Sequence, residues 1–298
     1  MNWLLEPFQF EFMQRALLGC MLMGFTNGFL SAFIVLRRMA LLADALSHSL
    51  LPGLAIGAIF FGLAPLGLFS GALVAALLVV LGGLFLAQNS RLKEDTAVGA
   101  LYIMAFALGI ILLKYSSVRV DLGHFLFGNI LGLADADLWM MYGVSFFTVT
   151  LLVAWQRPLL LVLFDATVAA AQGLPVRRLS YLLIGLTVLS MIASLQAVGV
   201  VLSLGLLILP AAAIYLWSDS FTWLAWGGGL LGLLGSVAGL FLSYWFNLPS
   251  GPAIVLVLGV VFLGSYLFSP RYGLFRRWHA PRHLHHESLA RWPQPPPA

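Results

Sequence analysis

Residues 222–245 read TWLAWGGGLLGLLGSVAGLFLSYW, a run without a single Asp, Glu, Lys or Arg. Wound as a helix it would be about 36 Å long, enough to cross a hydrocarbon layer of about 30 Å. Similar runs lie near 15–36, 44–63, 66–87, 96–113, 138–156, 179–198, 200–217 and 252–268, parted only by short polar breaks. The chain therefore reads as all-α, a polytopic membrane helix bundle of eight or nine transmembrane helices. The count turns on 179–198 and 200–217, which meet at Gly199 and can equally be one long bent helix or a re-entrant segment. Small residues inside the runs, such as Gly227, Gly228, Gly229, Gly232, Gly235 and Gly239, let backbones approach closely where lipid supplies no hydrophobic drive.

Composition agrees, with 61% hydrophobic and 9% charged residues in 298, against about 25% charged in a soluble domain. Residues 1–270 are expected to form a single transmembrane domain. From 271 to 298 the chain is rich in Arg, His and Pro without apolar periodicity, and a disordered cytoplasmic tail is expected. Its His279, His283, His285 and His286 can bind metal, although weak adventitious binding is the commoner outcome of such a cluster. The net charge of +4 does not point to nucleic acid, because no helix carries a basic face. Cys20 is the only cysteine, which excludes an intrachain disulfide and a thiolate cluster. Glu6 and Glu11 precede the first base, Arg15, so a cleavable signal peptide is not expected.

Basic residues set the expected orientation. In a nine-span arrangement Arg37, Arg38, Arg91, Lys93, Arg157, Arg177, Arg178, Arg271, Arg276 and Arg277 all fall on one side, with Lys114 and Arg119 as exceptions. That side is the cytoplasm by the positive-inside rule. The N-terminus is then outside and the C-terminus inside the cytoplasmic membrane of a bacterium.

Ionisable groups inside spans cost about 2.5–3.5 kcal/mol each on insertion scales and mark function. Asp44 and His48 are four residues apart, so a helix stacks carboxylate and imidazole on one face. Oxygen and neutral nitrogen donors suit Mn2+, Zn2+ or Fe2+. The alternative is structural: Asp44 pairs with Arg37 or Arg38 and hydrogen-bonds His48. Pro52 and Gly53 should break the helix nearby. A second pair, Asp121 and His124, lies on the expected outer side, where the alternative is a solvated loop pair near Arg119. Asp135 and Asp137 are read as caps of a helix starting at Leu138.

In the longest expected cytoplasmic connection, Asp165 is an N-cap, an alanine-rich turn follows, Gly173 stands at C′ and Pro175 lies beyond. A helix of about two turns is not stable alone in water, so either the bundle or a docked partner must hold it.

Four stretches in this order, VLRRMALLADALSH at 35–48, VDLGHFLFGN at 120–129, FDATVAAAQGLP at 164–175 and VGVVLSLGLLILPAAA at 198–213, resemble the permease subunits of the zinc, manganese and iron ABC importers. The resemblance covers about residues 10 to 270. It implies a non-catalytic permease with no permanently bound cofactor, working with a cytoplasmic ATPase subunit, an extracytoplasmic solute-binding protein and a second permease subunit, either a copy or a paralogue. It further implies that Asp44 and His48 line the metal pathway and that the segment from Asp165 through Gly173 to Pro175 couples to the ATPase. SHSLLPG at 47–53 looks more like the manganese and iron members. No GxxxxGK[ST] loop is present, so energy would come from the partner. The competing class is a proton-coupled secondary metal-ion transporter, in which Asp44 and His48 would titrate. An intramembrane metalloprotease would need a His-Glu-x-x-His helix, which the sequence lacks.

Overall fold

The computed structural model describes residues 9–62, 64–115, 128, 130–270 and 273–274. Within them the chain is helical without a strand, and nine segments are long and apolar enough to cross a membrane. The helices are α1 (Glu11–Leu36), α2 (Ala40–Ser49), α3 (Leu51–Phe61), α4 (Pro65–Gln88), α5 (Glu94–Tyr115), α6 (Asp135–Ala154), α7 (Gln156–Phe164), α8 (Ala166–Ala171), α9 (Val176–Tyr215), α10 (Phe221–Phe246) and α11 (Ser250–Phe268). A 3-10 turn, Ile130–Gly132, precedes α6.

α1 is the centre. It packs against α9 and α10, and its stretch from Thr26 to Ile34, with Phe29, Leu30 and Phe33, is buried throughout. The seam with α10 is backbone on backbone: a Cβ on Gly24 would lie 2.6 Å from Ser236 Oγ and 2.7 Å from the Gly232 carbonyl oxygen, and one on Gly28 would collide with the Gly228 carbonyl. Polar contacts reinforce this interior. Ser190 Oγ of α9 donates to Asn27 Oδ1 at 2.6 Å, and Ser31 Oγ accepts from the Ala211 amide at 3.2 Å, beside the helix-interior Pro210. At the end of α1 remote from Arg37, Arg15 contacts Glu11 at 2.6 Å and Asp135 of α6 at 3.1 Å.

Three local features refine the sequence reading. The two segments meeting at Gly199 run together over 40 residues but break there, with φ 81° and ψ 169°, values no helix tolerates and side chains rarely reach. They are thus two helices rather than one bent one, and each is long enough to span by itself. The second span is split at Leu50, with Pro52 in the first turn of α3, where its missing N–H costs nothing. α6 starts at Asp135 rather than at Leu138. Asp137 caps it from inside, accepting the Ala134 amide at 3.0 Å, while Asp135 pairs with Arg15. α7 was not foreseen, since nine residues fall below any spanning window. Asp121, His124 and the four tail histidines lie outside the described residues.

Candidate functional site

α2 owes its direction to the way α1 ends. Arg38 adopts the left-handed region at φ 57°, its amide donates to the Val35 carbonyl at 3.1 Å and the Met39 amide to Ile34 at 3.0 Å, a Schellman turn with arginine where glycine is usual. The chain reverses and α2 leaves at Ala40. Asp44 and His48 follow within one turn of each other, Asp44 exposed and His48 half-buried.

α5 supplies the rest of the environment. His48 meets Phe106 edge-on at 5.3 Å between ring centroids and lies nearly parallel to Tyr102 at 6.4 Å. Asp44 borders a cavity of about 250 Å3 whose other walls include Asp95, Val98, Gly99, Tyr102 and Ile103. Asp95 is thus a second carboxylate facing the same space. Sequence reading passed over it because an acid in the first turn of a helix is what the macrodipole favours anyway. Among the described residues neither Arg37 nor Arg38 forms an ion pair with Asp44, and no side-chain hydrogen bond joins Asp44 to His48. Among the described residues no three His, Cys, Asp or Glu side chains converge on one point. The described residues therefore offer donors but not a closed metal cage.

The flank that carries these donors is unfinished. Only 17% of the α5 span is buried, against 72% of α1. Ile103, Met104, Leu108, Ile110 and Ile111 stand exposed along α5, and Ile103 is also a wall of the cavity.

At the end of the bundle that gathers Arg37, Glu94 and Arg177, α8 projects from α7. Asp165 Oδ1 accepts from the Thr167 amide at 2.9 Å and the Val168 amide at 3.0 Å, and also from the Thr167 hydroxyl. These bonds, the hydroxyl's foremost, hold the Asp165 carboxyl below the usual carboxylate range. At the other end Gly173 takes φ 77°, its amide bonds to Ala170 and that of Leu174 to Ala169, both at 3.0 Å. Pro175 is the N-cap of α9. A helix of six residues is thus fixed at both ends by its own sequence, with Ala169 its only buried residue and Val168 exposed.

Known proteins resemble this chain over nearly its whole length. A manganese transport system membrane protein, MntC of Halalkalibacterium halodurans, is 38% identical over 274 residues, 90% of this chain and 91% of that protein. A Haemophilus influenzae membrane protein named for iron transport is 35% identical over 279 residues, 93% of this chain and 97% of that one. The solved structure of PsaBC from Streptococcus pneumoniae, in complex with Fab, superposes with a TM-score of 0.82 at 36% identity, covering 93% of this chain and 99% of the other. The sequence profile of the ABC 3 transport family matches residues 9–269, and this multi-pass membrane chain belongs to that family.

Proposed function

We propose that the chain is the membrane permease subunit of an importer that carries a divalent transition metal ion across the cytoplasmic membrane of a bacterium, Mn2+ or Fe2+ before Zn2+. A separate cytoplasmic ATPase would drive it and an extracytoplasmic solute-binding protein would supply the ion, with the N-terminus outside and the C-terminus inside. The observation that carries this reading is the cavity shared by Asp44 and Asp95, with His48 packed on the same helix, α5. Two carboxylates and an imidazole form an oxygen-rich set without thiolate, which suits Mn2+ and Fe2+. The names of the relatives, manganese for one and iron for another, point the same way. Membership of an ABC transport family favours ATP over a proton gradient as the energy source.

Among the described residues the donor set is incomplete, and its cavity adjoins an exposed apolar face. A second permease subunit on that face, related by a two-fold axis, would bring a second Asp44 and His48 to the same pathway. Four donors suffice to strip an ion of much of its water, and the lack of a rigid cage lets it leave. α8 would be the part that the ATPase grips, being short, capped, and joined to the bundle through α7 and α9. Asp121 and His124 would receive the ion at the outer mouth.

Reconstitution with the cognate ATPase and binding protein tests this. Asp44→Ala, His48→Ala and Asp95→Ala should each lower ATP-dependent uptake of radioactive manganese by about tenfold or more, the scale on which loss of a metal-site group acts. Uptake at the wild-type rate in both Asp44→Ala and His48→Ala would remove the pathway assignment. Uptake that persists without ATP would remove the ABC mechanism.

A further inference from the structure

A second cavity, of about 300 Å3, lies where α1 ends and α9 begins, with Ala166 of α8 on its wall. Its polar lining comprises Arg37, Arg177, Glu94, Gln88, Ser180 and Tyr181, so two guanidiniums face one carboxylate. Leu84, Leu163 and Leu183 are among its apolar walls. Gln88 Nε2 donates to the Tyr181 hydroxyl at 3.3 Å, which ties α4 to α9 across it.

Arg37 is the unusual member. It is half-buried at the C-cap of α1, yet its guanidinium makes no hydrogen bond and no ion pair with any described residue. Burial works against its charge and the field of Glu94 supports it. A guanidinium has five donors and no acceptor, and donors left unmade in a partly buried site are costly. The planar fork fits a phosphate in bidentate fashion. This end of the bundle also carries Arg38, Arg91, Lys93 and Arg178, the crowding of cations that draws acidic headgroups to a membrane surface. Phe85 and Phe164, on two helices that wall the cavity, are 67% and 71% exposed, apolar surface suited to acyl chains.

We propose that this cavity binds an anionic phospholipid from the leaflet at this end of the bundle, with its phosphate on Arg37 and Arg177 and its glycerol region against the leucines. The lipid would then fill the space between the bundle and the base of α8. Nothing in this inference depends on which ion is carried or on how transport is powered.

The test is native mass spectrometry of the full chain, stripped of lipid in detergent and titrated separately with phosphatidylglycerol, phosphatidylcholine and inorganic phosphate. Phosphatidylglycerol should be retained preferentially. Arg37→Gln and Arg177→Gln should each weaken it about fivefold, the scale of one basic residue at an acidic membrane surface. Lys114→Gln, an exposed cation on the far end of α5, should change nothing. Arg177 is exposed, so its replacement leaves the fold intact and carries the test should Arg37→Gln not assemble. Equal retention of the two lipids, unchanged phosphatidylglycerol binding in Arg177→Gln, or binding of inorganic phosphate that the same variants weaken equally would each overturn the lipid assignment, the last in favour of a soluble anion.

Discussion

The α1–α10 seam and the outer face of α5 are both apolar and helical, yet they stand in opposite states of completion. In the seam, Gly24, Gly28, Gly228 and Gly232 bring two backbones into contact, and Asn27, Ser31 and Ser236 beside them are 0% exposed. On α5, Met104 is 67% exposed, with no described residue covering it. The seam keeps the fold of one chain. In the function proposed above the α5 flank carries the donors, and an ion would have to bind there and leave again, which a close-packed interior would forbid. A transporter subunit can thus place its function on the surface it leaves open.

Substitution at the heart of the seam is the strongest way to break that contrast. Gly28→Leu drives a side chain into the Gly228 carbonyl, and the loss should reach about 3 kcal/mol or more, seen as aggregation on size exclusion and a lowered melting temperature in detergent. A variant that melts like the wild type would mean the seam is looser than its geometry. Met104→Trp on α5 should leave the stability of the single chain within about 0.5 kcal/mol, because the site is 67% exposed among the described residues. It should weaken pairing with a second subunit by about 1 kcal/mol or more, measured by mass photometry across a concentration series. If the single chain is destabilised instead, α5 has a partner within its own chain.

The smallest effect concerns α8. The Asp165 carboxyl titrates below its ordinary range when the helix is formed, so its capping contribution is complete above the unfolded value and is lost as pH falls through the folded one. Hydrogen exchange at the Thr167 and Val168 amides, corrected for the intrinsic rate, should therefore speed up on acidification. Asp165→Asn keeps an acceptor oxygen without the charge and should flatten that dependence; an unaltered pH profile would assign it to another group.

How far the sequence could be read differs from element to element. Spans were legible because hydropathy reports length, and each expected run overlaps an observed one. α8 was legible down to its caps, since Asp165 and Gly173 act on atoms within a few residues of themselves. Asp44 and His48 stood out because charge is rare in such runs. Asp95 did not, since its meaning depends on α5 lying against α2, a relation between residues half a hundred positions apart. Asp135 was misread as a cap because its partner, Arg15, is 120 residues away.

By itself the sequence determined that this chain crosses a bilayer as helices, where those helices fall, where α8 begins and ends, and which family it resembles. Those follow from local quantities: apolar length, the stiffness of proline, the freedom of glycine and the reach of a short side chain. Only the tertiary structure decided that α1 lies at the centre, that the segments meeting at Gly199 are two helices, that Asp95 shares a cavity with Asp44 and that the Arg37 guanidinium faces another without an ion pair among the described residues. These depend on which apolar face meets which, and hydrophobicity alone carries no address.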